Sequence, residues 1–228
     1  MTFWAVVPVK PLRRGKSRLS GVLAQEERTA LNIYLLGHTL DMLNATPEIE
    51  HTLVISRDPV ALALARSHKA QTVQEDGSPQ LNLALTRATR VVQSLTRSGL
   101  LIIPADLPMI TSQDIQGMLE RVKMGTNSSL QTNESVVVIA PDRHRTGTNG
   151  LLVYPPGLIS YEYGPGSFER HCTNARRANA RLEIYENPAF ALDVDFPEDL
   201  DLIRGKLPGL NLKNFVISDL PEDDLLED

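Results

Sequence analysis

Several groups of residues in this chain have the types and spacing to do chemistry on phosphates. The first is Lys10-Pro11-Leu12-Arg13-Arg14-Gly15-Lys16-Ser17-Arg18, with five cations in nine residues. It follows directly on the apolar run Val6-Val7-Pro8-Val9. Open α/β sheets bind ligands just past the carboxyl ends of their strands, so Lys10, Lys16 and Arg18 are candidate donors to a polyphosphate. Gly15-Lys16-Ser17 invites a P-loop reading, but that motif needs Gly where Lys10 stands. The Walker reading fails, which leaves a phosphate loop of another kind or a solvated turn.

The second group is Pro104-Ala105-Asp106-Leu107-Pro108, at the end of the apolar run Leu101–Ile103. Proline fixes φ and lacks an N–H, so Asp106 sits on a stiff bend at the same sheet edge. A carboxylate there suits Mg²⁺, which takes one or two carboxylates plus phosphate oxygens and water; the alternative is a cap for the helix that follows. In the third group, Asp193-Val194-Asp195, the spacing of two places both carboxylates on one face of a strand. They repel unless a cation lies between them. Pro197-Glu198-Asp199 after them reads as a helix start.

The fourth group is looser: Ala140-Pro141-Asp142 through Gly147-Thr148-Asn149-Gly150, then Gly164-Pro165-Gly166-Ser167-Phe168. Such segments can present N–H groups and hydroxyls to an anion, and Ser167 opens a helix whose N-terminus favours one. Asp76-Gly77 and Asn82 read as a turn and a helix cap. His171 and Cys172 are adjacent but have no further ligands at metal spacing.

The elements that must position these groups alternate strand with helix, as in a mostly parallel sheet covered on both faces. Strands are expected over Phe3–Val9, Thr52–Ile55, Ala70–Val73, Leu100–Ile103, Val136–Ala140, Gly150–Tyr154 and Arg181–Tyr185. Helices are expected over Glu26–Leu43, after the Asp58-Pro59 cap, over Asn82–Ser98, and from Thr111 to about Lys123. The polar stretch Gly125–Ser135 reads as a loop. This organisation predicts a single three-layer α/β/α domain over residues 1–207, with an acidic, partly disordered extension over 208–228.

Composition sets the class. The chain is 42% hydrophobic and 22% charged over 228 residues, as in ordinary globular proteins. No apolar run approaches a membrane span, the start does not read as a secretory signal, and one cysteine excludes an internal disulfide. A cytoplasmic protein is expected. Net charge is −5, but the last ten residues carry six acids, and without them the rest stands at +1. That balance fits a small anionic ligand rather than nucleic acid, which needs a broad basic face. Oligomeric state is not legible, and a homodimer stays open.

Read in order, Val7–Leu12 with Lys16–Leu19, Leu81-Asn82, Pro104–Pro108, Ala140–Asp142, Gly147–Asn149, Gly164–Phe168 and Asp193–Leu200 resemble the guanylyltransferases of deazaflavin coenzyme (F-420) biosynthesis. These act on phosphoenolpyruvate or 2-phospho-L-lactate, and their wider relatives are GT-A-type, nucleotide-diphospho-sugar transferase-like nucleotidyltransferases with a Rossmann-like fold. The resemblance spans about residues 3 to 205. It implies transfer of GMP from GTP to the phosphorylated acid, with Mg²⁺ on Asp106, Asp193 and Asp195. Lys10, Lys16 and Asp106 would be catalytic, and Thr148, Gly164 and Ser167 would bind the acid. Pro8, Lys10, Lys16, Arg18, Asp76, Gly77, Asn82 and Pro104 would bind the nucleotide. Other acceptors (molybdopterin, a sugar phosphate, 3-phosphoglycerate) and a non-catalytic nucleotide-binding regulator are the competing expectations.

Overall fold

Strand β1 (Phe3–Val9) sorts the layers. Phe3, Ala5 and Val7 point to one face, Trp4 and Val6 to the other, and all are buried. Burial on both sides marks a central strand of a sheet with helices on each face. The computed structural model describes residues 1–75, 80–95, 99–123, 135–203 and 206. The other strands are β2 (Ile49–Ser56), β3 (Gln71–Gln74), β4 (Gly99–Ile102), β5 (Val136–Pro141), β6 (Thr148–Tyr154) and β7 (Arg181–Ile184). Together they form one seven-stranded sheet in the order β3-β2-β1-β4-β6-β5-β7. All seven expected strands are present, with ends shifted by up to three residues.

The helices are α1 (Gln25–Asn44), α2 (Pro59–Ser67), α3 (Leu81–Leu95), α4 (Ser112–Lys123), α5 (Ser167–Arg177), α6 (Pro188–Ala191) and α7 (Pro197–Ile203). The Phe3 face is covered by Leu36 and Leu40 of α1, Ala61 of α2 and Met118 of α4. The Trp4 face is covered by Leu85, Ala88 and Val92 of α3 and by Phe168 and Cys172 of α5. Local chemistry starts the helices where expected. Asp58 accepts the Val60 N–H at 3.0 Å, with Pro59 at the first helical position. Thr111 and Asp114 cap each other reciprocally before α4.

Strand β6 runs antiparallel between β4 and β5, while β1–β2, β1–β4, β2–β3 and β5–β7 are parallel, so the sheet is mostly parallel, as expected. Two features differ from the sequence reading. The four-residue α6 was not expected, because one turn has no period to read. The basic loop contains two short 3-10 turns, Leu12–Arg14 and Ser17–Leu19. Residues 76–79, 124–134 and 208–228 fall outside the described set, and with them Asp76, Gly77, most of the expected loop and the acidic extension. No helix among the described residues is long and apolar enough to cross a membrane.

A third apolar cluster matters most for position. Leu19, just after the basic loop, packs with Leu31 and Leu35 of α1, with Val194, and with Ile203 of α7. Leu19 and Val194 are fully buried, and burial of such a side chain contributes about 1.5–3 kcal/mol. This contact brings the amino-terminal cations to the carboxyl-terminal acids.

Candidate active site

The basic loop is held by its own backbone. The Leu12 N–H donates to Asp58 Oδ2 at 2.7 Å, and Asn32 Nδ2 donates to the Leu12 carbonyl at 2.7 Å. Asn32 comes so close that a Cβ on Gly15 would lie 2.5 Å from its Nδ2, so a larger residue there would displace the Asn32 amide from the Leu12 carbonyl. The next residue, Lys16, has φ 56°, the left-handed region. A non-glycine residue there is strained by about 1–3 kcal/mol, a cost that recurs at functional sites.

That strain aims the Lys16 side chain, only 7% exposed, between two carboxylates. Its Nζ donates to Asp106 Oδ2 at 2.9 Å and to Asp195 Oδ1 at 3.2 Å. Arg18 Nη1 donates to the other oxygen of Asp195 at 3.0 Å and lies over the Phe196 ring. Burial alone would lower the Lys16 pKa; the fields and hydrogen bonds of Asp106 and Asp195 outweigh it and hold the ammonium above its ordinary range. Lys16 is therefore charged throughout the working range of pH.

The acidic segment is not a strand. Residues 192–195 are extended chain outside the sheet, pinned by the Val194 N–H to the Asp106 carbonyl at 3.2 Å. Asp195 is set by Asp199, a 2%-exposed carboxylate that accepts the N–H groups of Asp195 and Phe196 at 2.8 and 2.7 Å. Arg143 balances Asp199 at 2.6 Å. Asp193 Oδ1 accepts from Asn149 Nδ2 at 3.1 Å. Burial first, then Asp106, and more weakly Asp195, push the Asp193 carboxyl up, while Asn149 restrains the rise.

A cleft of about 380 Å³ opens beside this cluster at the carboxyl ends of the parallel strands. Of the residues expected to bind, Pro8, Lys10, Lys16, Pro104, Asp106 and Asp195 line it. Lys10 is exposed at its lip. Arg57 and Glu75, which the sequence did not single out, line it too.

The remaining expected residues lie elsewhere. Asn82 is not among the cleft's lining residues. Its amide is spent on Tyr163, donating to the carbonyl at 3.3 Å and accepting the N–H at 2.8 Å. Ala140–Gly150 is a hairpin and not an open anion loop, because Asp142 takes the Thr146 N–H at 2.7 Å and the Thr146 hydroxyl at 3.0 Å. At the start of α5 the Ser167 N–H goes to the Gly164 carbonyl and the Phe168 N–H to Thr146. What Ser167 retains for a ligand is its hydroxyl. Gly164 and Gly166 have positive φ, 124° and 75°, which bends the chain into α5.

Thr148 and Asn149 are neighbours on β6 and point to opposite faces. Asn149 reaches Asp193, while Thr148 Oγ1 meets His171 Nδ1 at 3.0 Å. The Glu162 N–H donates to His171 Nε2 at 3.0 Å, so the neutral ring carries its proton on Nδ1 and donates it to Thr148. The Thr148 hydroxyl hydrogen is thereby left for another acceptor. Burial pushes the His171 pKa down to about 4; Glu162 opposes this and Arg170 adds to it.

The sign of the resulting pH dependence is fixed. Between about 4 and its ordinary 6.5 the unfolded chain binds a proton at His171 that the folded ring refuses. Stability therefore falls as pH drops through that window, by roughly 3 kcal/mol in all, and this contribution levels off below it. Urea unfolding of the wild type and His171→Asn at pH 7.5 and 4.5 checks this. The variant should lose less stability between the two; equal losses would refute the assignment.

Comparisons with known proteins bear on the family and the fold. A family model described as guanylyl transferase CofC like matches residues 3–216. A phosphoenolpyruvate guanylyltransferase from Rubrobacter xylanophilus is 38% identical, over 88% of this chain and 92% of its own. One of the same name from Conexibacter woesei is 35% identical, over 90% and 88%. A 2-phospho-L-lactate guanylyltransferase from Methanocaldococcus jannaschii is 33% identical, over 86% and 79%. Among solved structures, a Desulfovibrio desulfuricans protein described as a nucleotide-diphospho-sugar transferase superposes with a TM-score of 0.70 at 14% identity, covering 94% of this chain and 91% of its own. A nucleotidyl transferase from Methanothermobacter gives 0.60 at 13%, covering 89% and 96%. These two likenesses speak to the fold alone, a nucleotidyltransferase-type α/β sheet. The family model spans residues 3–216 and the three guanylyltransferase relatives cover 86–90% of the chain, and by them this chain belongs to the CofC-like guanylyl transferase family.

Proposed function

We propose that this protein transfers GMP from GTP to phosphoenolpyruvate, a step of deazaflavin coenzyme biosynthesis. An oxygen of the acceptor phosphate forms a bond to the α-phosphorus of GTP. The bond from that phosphorus to the α–β bridging oxygen breaks, and pyrophosphate leaves with the electron pair. The observation that carries this reading is the Lys16 ammonium, buried between Asp106 and Asp195 at the cleft. The relatives at 35–38% identity support phosphoenolpyruvate as acceptor.

The attacking oxygen is ionised at neutral pH, so the reaction needs no strong general base. The obstacle is charge: two unit charges about 4 Å apart repel by roughly 4 kcal/mol at an effective dielectric of 20. Lys10 and Lys16 reduce that repulsion at the nucleotide. The Thr148 hydroxyl, freed by His171, and the Ser167 hydroxyl donate to the acceptor phosphate. No group of three or more His, Cys, Asp or Glu side chains among the described residues is gathered closely enough to hold a metal ion by itself. The donors present still fit Mg²⁺, since one or two carboxylates plus phosphate oxygens suffice, and Asp106 and Asp195 both share the Lys16 ammonium at the cleft. Asp106 and Asp195, with Asp193 behind them, would hold the ion, which would supply charge stabilisation to the triphosphate and the leaving pyrophosphate.

A pyrophosphate-release assay crossing GTP, ATP and CTP with phosphoenolpyruvate, 2-phospho-L-lactate and 3-phosphoglycerate tests the reading. GTP with phosphoenolpyruvate is expected to give the highest kcat/KM. Preference for phospholactate would reassign the acceptor, and no release from GTP with any acceptor would refute the proposal.

A further inference from the structure

We propose that Arg57 and Glu75 form a base-reading pair that selects guanine; this rests on the guanylyltransferase reading and deepens it. The ladder between β2 and β3 ends at Ser56 and Gln74, and the Glu75 N–H donates to the Ser56 carbonyl at 2.8 Å. Arg57 and Glu75 thus leave adjacent parallel strands side by side, on chains about 4.8 Å apart. Both line the cleft, with the apolar side chains of Ile55, Leu81 and Ala84.

Among the described residues, neither side chain makes an ion pair. Arg57 Nε is buried and has no hydrogen-bond partner. No ion pair joins Arg57 to Glu75 among the described residues, although their strands are neighbours. A buried donor left unpaired is costly, and native structures seldom tolerate one without a reason. A ligand with acceptors on one edge and donors on the next would satisfy both groups at once.

Guanine is such a ligand. Its O6 and N7 accept from a guanidinium, the commonest arginine–base contact, and its N1–H and N2–H₂ donate in parallel to a carboxylate. Adenine keeps N7 but presents an amino group to Arg57 in place of O6 and an N1 lone pair to Glu75 in place of N1–H, so each contact loses a hydrogen bond to a repulsion. Ile55, Leu81 and Ala84 supply apolar surface for the purine faces. The preference expected for GTP over ATP then follows from these two side chains.

Base-edited nucleotides test the pair in the unmodified protein. ITP lacks the N2 amino group and 7-deaza-GTP lacks the N7 acceptor. With phosphoenolpyruvate, kcat/KM is expected to fall about 10- to 100-fold for ITP and about 10-fold for 7-deaza-GTP, the range of one lost base contact. Glu75→Gln should shrink the GTP/ITP ratio to about threefold or less. Arg57→Met should remove the 7-deaza penalty. Wild-type protein that accepts both analogues as well as GTP overturns the pair. So does an Arg57→Met variant that weakens GTP, ITP and ATP equally, which would make Arg57 a phosphate ligand. If GTP releases no pyrophosphate with any acceptor, the functional reading fails but the pair is still decided by calorimetry. GDP should then bind at least about tenfold tighter than IDP, and equal affinities overturn the inference.

Discussion

Asp106→Asn is expected to lower GTP turnover by roughly 10³-fold or more, with unfolding free energy within about 2 kcal/mol of wild type. The substitution keeps shape and removes charge. The backbone carbonyl of residue 106 still accepts the Val194 N–H, so the loop and the acidic segment stay joined. Asn can still offer an oxygen to Lys16 Nζ, now 2.9 Å from Asp106 Oδ2. What disappears is the negative charge that balances the buried ammonium and would draw a divalent ion to the phosphates. The stiff bend between Pro104 and Pro108 leaves no neighbouring carboxylate free to swing in. Pyrophosphate release and urea unfolding on the same preparation read the two effects. A variant with near-normal turnover would remove Asp106 from the reaction.

Lys16→Met is expected to cost about 10²- to 10⁴-fold in turnover while tightening divalent-ion binding in the absence of nucleotide. In the resting protein the ammonium occupies the oxygens of Asp106 and Asp195 that an ion would use. Removing it leaves Asp106 and Asp195 without their shared cation. The stability loss should be roughly 1–3 kcal/mol, below that of a fully buried pair, because the Asp195 side chain is 38% exposed and screened by water. Mn²⁺ titration followed by electron paramagnetic resonance should show affinity raised about tenfold or more. That is well within the roughly 4 kcal/mol by which a unit charge acts at 4 Å. Unchanged Mn²⁺ affinity would show that lysine and metal do not compete. Unchanged turnover would show that Lys16 only fastens the loop.

The Lys16 bridge also corrects a simple picture of the site. The sequence offered cations for the phosphates and carboxylates for Mg²⁺ as separate groups. In the structure the two groups already touch. Lys16 lies between Asp106 and Asp195, 90 and 179 residues away along the chain. Lys10 and Arg57 line the cleft beside that bridge.

Much of the fold was legible because its signals are local. Alternation exposes β1, the Asp58-Pro59 cap starts α2, helical spacing finds α1, and the capping-type start at Thr111–Asp114 finds α4. The types of the chemical residues were legible too: a basic loop, a carboxylate between prolines and a spaced pair of acids. What escaped were elements and partners without a local signature. The single turn of α6 has no period. Asp199 read as a helix-start acid, yet it holds Asp195 through two backbone N–H groups. His171 read as idle, yet it orients Thr148.

The sequence alone thus determined the strand and helix content and the phosphate chemistry, since both follow from neighbours within a few residues. Only the tertiary structure decided which charges meet. Burial of Leu19 against Val194 brings Lys16 to Asp195, and the β2–β3 register sets Arg57 beside Glu75. Such pairings depend on how distant apolar surfaces pack, and that information is spread over the whole chain.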